Sequence, residues 1–151
     1  MNRLISRHRI IGKSPMERVD FLLSRWSGVF LSILRIITAF LFIQHGTQKV
    51  FSFPVAAFGE FDPLSLLGFG GLLEVFGGTL ILVGLFTRPL SFLMSGMMAV
   101  AYFMFFSSRG FWTVVNGGDA AVLYCFVFLY LSAAGGGPWG LDHLWRRSRP
   151  D

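Results

Sequence analysis

Apolar residues gather along this chain into four long blocks, separated by polar or glycine-rich breaks. The blocks run from about Gly28 to Lys49, Leu66 to Phe86, Pro89 to Phe106 and Asp119 to Ala134. About 20 residues cross a typical hydrocarbon layer, with roughly 17 as the short limit. The first two blocks fit comfortably, the third is borderline, and the fourth needs a residue or two of flank. Runs such as LLGFGGLLEVFGGTLILVGLF and CFVFLYL are continuous rather than alternating. They therefore predict helices, which satisfy their own backbone in lipid, and not the strands of a barrel. The expected fold is an all-α integral membrane protein, a bundle of four transmembrane helices.

The polar breaks orient that bundle. Arg3, Arg7, Arg9, Lys13, Arg18 and Arg25 precede the first block, Arg88 sits in the tight second connection, and Arg146, Arg147 and Arg149 follow the fourth. The opposite flanks hold only Lys49 and Arg109, near Glu60, Asp62 and Asp119. Basic residues favour the cytoplasmic side, so both termini are expected there, in agreement with an even number of spans. The chain thus divides into a basic cytoplasmic segment (1–27), a membrane domain (28–135) and a basic cytoplasmic tail (136–151), placed in the inner or plasma membrane. Within the first segment, Ser14-Pro15-Met16-Glu17 has the pattern of a helix start with a capping box. Met16, Val19, Leu22 or Leu23, and Trp26 follow at helical spacing. They form either a short interfacial helix or an extension of the first span.

Composition agrees with this placement. The 151 residues are 54% hydrophobic and 14% charged, against about 25% charged in a soluble domain. The net charge of +5 is carried by flanks rather than by a binding face, which excludes nucleic acid as a partner and leaves membrane lipid. A single cysteine, Cys125, excludes an intrachain disulfide and dithiol relay chemistry. With His45 as the sole histidine in the spans, one chain does not supply two haem-ligating histidines. No metal-ligand cluster, phosphate loop or nucleophilic triad is present, and the glycines lack the strand-to-helix context of a dinucleotide site.

Ionisable groups at membrane depth are costly and mark candidate sites. In the second block Glu74 lies between Gly70 and Gly77, with Gly84 a further seven residues on. Small residues on one face let helices approach closely, so these glycines are expected to pack and Glu74 to face protein. Counting from Leu66, Glu74 is roughly 12 Å below the outer boundary at 1.5 Å per residue. The first block carries Arg35, Thr38, Phe42, His45 and Lys49 on one stripe, with Gln48 beside it. Glu74 is expected to bond His45 or Gln48, or to pair at longer range with Lys49 or Arg35. Asp119, at the start of the fourth block, suits a helix cap, and Arg109 and Asn116 flank it. A polar cavity in the outer half is therefore expected from His45, Glu74, Gln48, Lys49, Asp119, Arg35, Arg109 and Asn116, lined by Phe42 and Tyr102. Glu74 has three readings: a structural pair, ligand or proton chemistry, or a partner interface.

The blocks LRIITAFLFIQHGTQKVF, GGLLEVFGGTLILVGLFTRPLSFLMSGMMAVAYF and NGGDAAVLYCFVFLYLSAAGGGPWGLDHLW together resemble the DoxX family of small four-helix membrane proteins, including its DoxD-like relatives. The resemblance covers about Leu34 to Leu144, with Asp119 where relatives commonly carry Glu. It implies membrane redox processes: some relatives are linked to thiosulfate:quinone oxidoreductase, others to a membrane-associated oxidoreductase complex or to quinone stress. Three functions follow. The first is a subunit that binds a quinone-like or other lipophilic redox molecule. The second is a non-catalytic scaffold for other redox-complex subunits, and the third, a small transporter working as a homo-oligomer.

Overall fold

A capping box starts the first helix. In the computed structural model, which describes residues 14–55 and 61–148, the Ser14 hydroxyl accepts from the Glu17 amide and the Glu17 carboxylate accepts from the Ser14 amide. From there α1 runs unbroken over Pro15–Phe51. The apolar stripe from Met16 to Trp26 is thus continuous with the helix of the first apolar block. The basic residues up to Lys13 lie outside the described residues.

Helix α2 (Leu66–Val83) opens on a Ser65 cap and closes at Gly84, whose φ of 75° suits a residue without a side chain. Helix α3 (Thr87–Phe105) follows almost at once. A 3-10 turn (Ser107–Arg109) and a one-turn α4 (Thr113–Asn116) then lead to α5 (Asp119–Ala134), and α6 (Leu141–Arg147) ends the described chain. The long helices pack chiefly as two pairs, α1 with α2 and α3 with α5, joined where α2 meets α3. Between them lies a core of Ala39, Phe42, Ile81, Met94, Met98, Phe128 and Leu131. The Phe42 and Phe128 rings meet edge-on at 4.8 Å, an attractive arrangement of aromatic quadrupoles.

All of this is helix, as the continuous apolar runs require. Among the described residues three helices are long and apolar enough to cross a membrane: α1, α2, and α3 carried through the 3-10 turn to Arg109. Helix α5, the fourth apolar element, has 16 residues.

Glycine spacing sets how closely α1 and α2 approach. A Cβ on Gly46 would stand 2.8 Å from the Val75 amide nitrogen, and one on Gly71 2.9 Å from Lys49 Cβ. On Gly78 it would meet Ile43 at 2.7 Å. Gly77 serves a different contact, since it faces Met94 of α3 at 3.1 Å. Gly70, expected on the packed face, has nothing within 4 Å of its would-be Cβ. A neighbouring position on a helix is turned by about 100°, and the face that meets α1 is that of Gly71 and Gly78.

Arg35 fixes the end of the bundle away from His45. Its guanidinium, 1% exposed, donates to the carbonyls of Gly136 at 2.8 Å, Ile81 at 2.7 Å, Leu82, and Trp139 at 3.3 Å. It thereby gives a donor to Leu82, among the last carbonyls of α2 that a helix leaves unpaired, adds a second to Ile81, which also accepts from the Gly84 amide, and ties in the loop after α5. Asp142 does the converse for α3. Its two carboxylate oxygens accept from the Phe86 and Thr87 amides, each at 2.8 Å, while its own amide donates to Gly84. Gly84 lies against both Gly140 and Arg35, so its role is to terminate α2 and admit these partners.

Candidate functional site at the His45 end

Close packing along Gly46 and Gly71 brings the last turns of α1 against the first turns of α2. Lys49, one turn beyond His45, donates from Nζ to Glu74 Oε1 at 2.6 Å. The Glu74 side chain is 3% exposed and that of Lys49 29%, so the carboxylate is buried and the ammonium reaches the surface. Glu74 Oε2 has no hydrogen-bond partner. Of the partners expected for Glu74, the structure selects Lys49; Arg35 is engaged at the other end.

His45 meets a different helix. It is exposed, and its ring meets Tyr124 of α5 edge-on at 5.8 Å. Both rings help line an open groove of about 170 Å³ with Leu41, Gln44, Gln48, Pro54 and Val55. Polar groups from Gln44, His45, Gln48 and Tyr124 thus border one apolar depression between α1, α5 and the start of the following loop. Tyr124 lies within coulombic reach of Glu74, and His45 within that of Lys49. Phe42 is 1% exposed and packs on Tyr124 at 5.3 Å, which makes it core behind the groove and not its lining.

The remaining residues expected in one cavity are dispersed. Asn116, 2% exposed, donates to Gly110 at 2.8 Å and to the Tyr102 hydroxyl at 3.2 Å, and accepts from the Gly118 amide at 2.7 Å. Tyr102 in turn donates to Phe111. These two residues hold the loop between α3 and α5. Gly117 turns that loop with a φ of 75°, and Gly118 lies against the Tyr102 ring, 2.7 Å from its would-be Cβ. Asp119 is exposed in the first turn of α5, with Gly118 at the cap position and no side-chain cap bond. Arg109 is exposed on the 3-10 turn. Among the described residues no cluster of three or more His, Cys, Asp or Glu side chains could hold a metal ion.

Tyr124 and Gln44 are the groove residues that sequence reasoning undervalues. Tyr124 carries a usable signal, because Tyr124, Phe128 and Leu131 recur at helical spacing on the core side of α5. Pro54 and Val55 carry none, since a loop gives no periodicity from which to place them.

Comparison with known proteins settles the family. The DoxX family model matches residues 30–107, a little over half of the chain. The chain belongs to the DoxX family. An uncharacterized protein of Haemophilus influenzae is 39% identical to this DoxX chain over 128 residues, covering 80% of this chain and 94% of its own length. No solved structure matches. The matched region holds α1 from Phe30, all of α2 and α3, and therefore Arg35, His45, Lys49 and Glu74.

Proposed function

We propose that this DoxX protein is a four-span subunit of a membrane redox system, with both termini cytoplasmic. Its groove at His45 holds the ring head of a quinone-like or other lipophilic redox molecule. One observation carries the reading: four polar side chains, Gln44, His45, Gln48 and Tyr124, border a single apolar groove, with the Lys49–Glu74 pair within coulombic reach of His45 and Tyr124. Pockets for drug-sized ligands run from about 300 to 1,000 Å³. At about 170 Å³ this groove suits one substituted ring, with any tail left in the lipid. In this reading His45, Gln48 and Tyr124 hydrogen-bond the ring oxygens, His45 exchanges a proton with them, and the Lys49–Glu74 pair sets the local field.

The test is titration of the purified protein, in native-like lipid, with a short-tailed benzoquinone and its reduced form. Binding is expected, and His45→Ala is expected to weaken it at least tenfold. Wild-type protein that binds neither form, or a His45→Ala variant that binds equally well, would overturn the reading.

A scaffold role has an observation of its own. Phe111, Trp112, Val114 and Val115 are each more than 70% exposed on the loop that Asn116 holds rigid. If they grip a partner protein, Trp112→Ala should reduce recovery of co-purified subunits and leave quinone binding unchanged.

A further inference from the structure

Helix α1 uses one face for its own bundle and carries a second, different face. Ser32, Arg35, Ala39, Phe42 and Gly46 are buried against the rest of the molecule. The opposite side repeats apolar residues at alternating steps of three and four. Its first half is Met16, Val19, Leu23 and Trp26, and its second half Phe30, Ile33, Ile37 and Phe40. All eight are between 42% and 74% exposed. Such a repeat, sustained over more than three heptads, is the pattern of a coiled-coil seam with the a and d positions filled. It continues into Gln44 and Thr47 at the next a and d positions.

Lipid accounts for the second half of this seam but not for the first. At 1.5 Å per residue, the 37 residues of α1 reach roughly 55 Å, against about 30 Å of hydrocarbon. Gly28 is the point where α1 meets Pro138, and residues 15–27 extend roughly 20 Å further. A helix lying in the lipid surface needs a break where it leaves the span, and α1 has none between Pro15 and Phe51. Met16 and Val19, roughly 14–18 Å beyond Gly28 and so past the headgroup layer, therefore face water unless another protein surface covers them.

We propose that a second copy of this chain covers them, the two α1 helices pairing as a parallel coiled coil. Copies of one membrane protein insert the same way round, so a two-fold axis along the helices matches each a position with itself. Each side chain leaves about half its surface open; the aromatic ones, Trp26, Phe30 and Phe40, present roughly 150–250 Å² apiece and the five aliphatic ones roughly 60–120 Å². The seam thus offers about 500–600 Å² per copy, near the roughly 600 Å² per partner at which specific interfaces begin. Gln44, half-buried at an a position, supplies register, because it gains a hydrogen bond only opposite its counterpart in lipid. Gln44 also lines the groove, so pairing places a second chain at the groove's edge. The pairing itself does not depend on what the groove binds.

Cross-linking in native membranes tests this. In a Cys125→Ala background, single cysteines replace Val19, Leu23 or Trp26 on the seam, and Ser24 or Arg25 off it. A short bismaleimide is expected to give at least fivefold more dimer from the seam positions. Leu23→Glu is expected to abolish cross-linking through the Val19→Cys position and to leave the yield of folded protein unchanged, since residue 23 is exposed on the single chain. Equal yields on and off the seam, or no dimer, would overturn the proposal. So would quenching of a fluorophore on the Met16→Cys variant by headgroup-labelled lipids, because the stripe would then lie on the membrane surface.

Discussion

Removing Lys49 should harm this protein more than removing the carboxylate it pairs with. The Glu74 side chain is 3% exposed and its Oε1 depends on Lys49 at 2.6 Å, whereas Lys49 is 29% exposed. Breaking a buried ion pair by deleting one partner costs about 3–5 kcal/mol, because the other charge stays buried and uncompensated. For Lys49→Met the stranded group is the deeply buried carboxylate, and partial exposure of the pair sets the cost near the lower bound, about 3 kcal/mol. For Glu74→Met the stranded group is an ammonium that swings to the surface on its flexible stem, so the cost falls to about 1 kcal/mol. Joining both changes removes the stranded charge and leaves two apolar side chains of similar volume. The double variant should then lie within about 1 kcal/mol of the wild type, with a coupling of about 4 kcal/mol. Unfolding in mixed micelles of increasing denaturing-detergent fraction measures all four proteins. Additive single-variant effects, or a Glu74→Met variant less stable than Lys49→Met, would show that the pair does not act as the geometry implies.

Two further outcomes follow from packing and capping. Gly46→Ala should destabilise by about 1–3 kcal/mol, because its Cβ would stand 2.8 Å from the Val75 backbone nitrogen and α1 and α2 would have to part. Gly70→Ala meets open space and should be neutral or stabilising by up to about 1 kcal/mol through helix propensity; the same unfolding assay separates the two. Asp142→Ala frees the Phe86 and Thr87 amides and should cost about 1–2 kcal/mol, as for a lost helix cap. Faster hydrogen exchange at those two amides, with exchange at Lys49 unchanged, is the expected signature.

The features legible in the sequence were those decided locally. The capping box at Ser14 and Glu17 needs only four residues, and the extent of α5 over Asp119–Ala134 follows from its apolar block. The burial of Glu74 followed from the glycines around it, although their spacing does not say which run meets α1. Gly70 and Gly77 are seven apart, and so are Gly71 and Gly78, which actually face it. Contacts made at a distance were not legible. Asp119 and Asp142 both stand near helix starts, but it is Asp142 that caps, and it caps α3 across 55 or more residues. Arg35 shares a stripe with His45, yet roughly 15 Å of helix separates them, and the carbonyls that claim the guanidinium belong to α2 and to the loop after α5. A periodicity argument sorts residues by face; depth along the helix decides which of them meet.

The two ends of the bundle therefore differ in how completely their polar groups are used. At the Arg35 end, guanidinium and carboxylate are matched to backbone groups of neighbouring elements. Thr87 Oγ1 and Ser91 Oγ are buried there without partners, but both are neutral hydroxyls that can donate or accept, and a small rotation lets Ser91 donate to the Thr87 carbonyl one turn back. Glu74 Oε2 is also buried without a partner, and it has no such remedy. An ionised carboxylate only accepts, and the amides around it in the interior of α2 are already spent within the helix. A buried polar atom left this way costs about 1–3 kcal/mol, and more when charged. Such an atom is tolerated where water or a ligand supplies the missing donor. The Arg35 end matches its charged groups to backbone partners, while the His45 end keeps one buried carboxylate oxygen without a donor, within coulombic reach of Tyr124 in the groove wall.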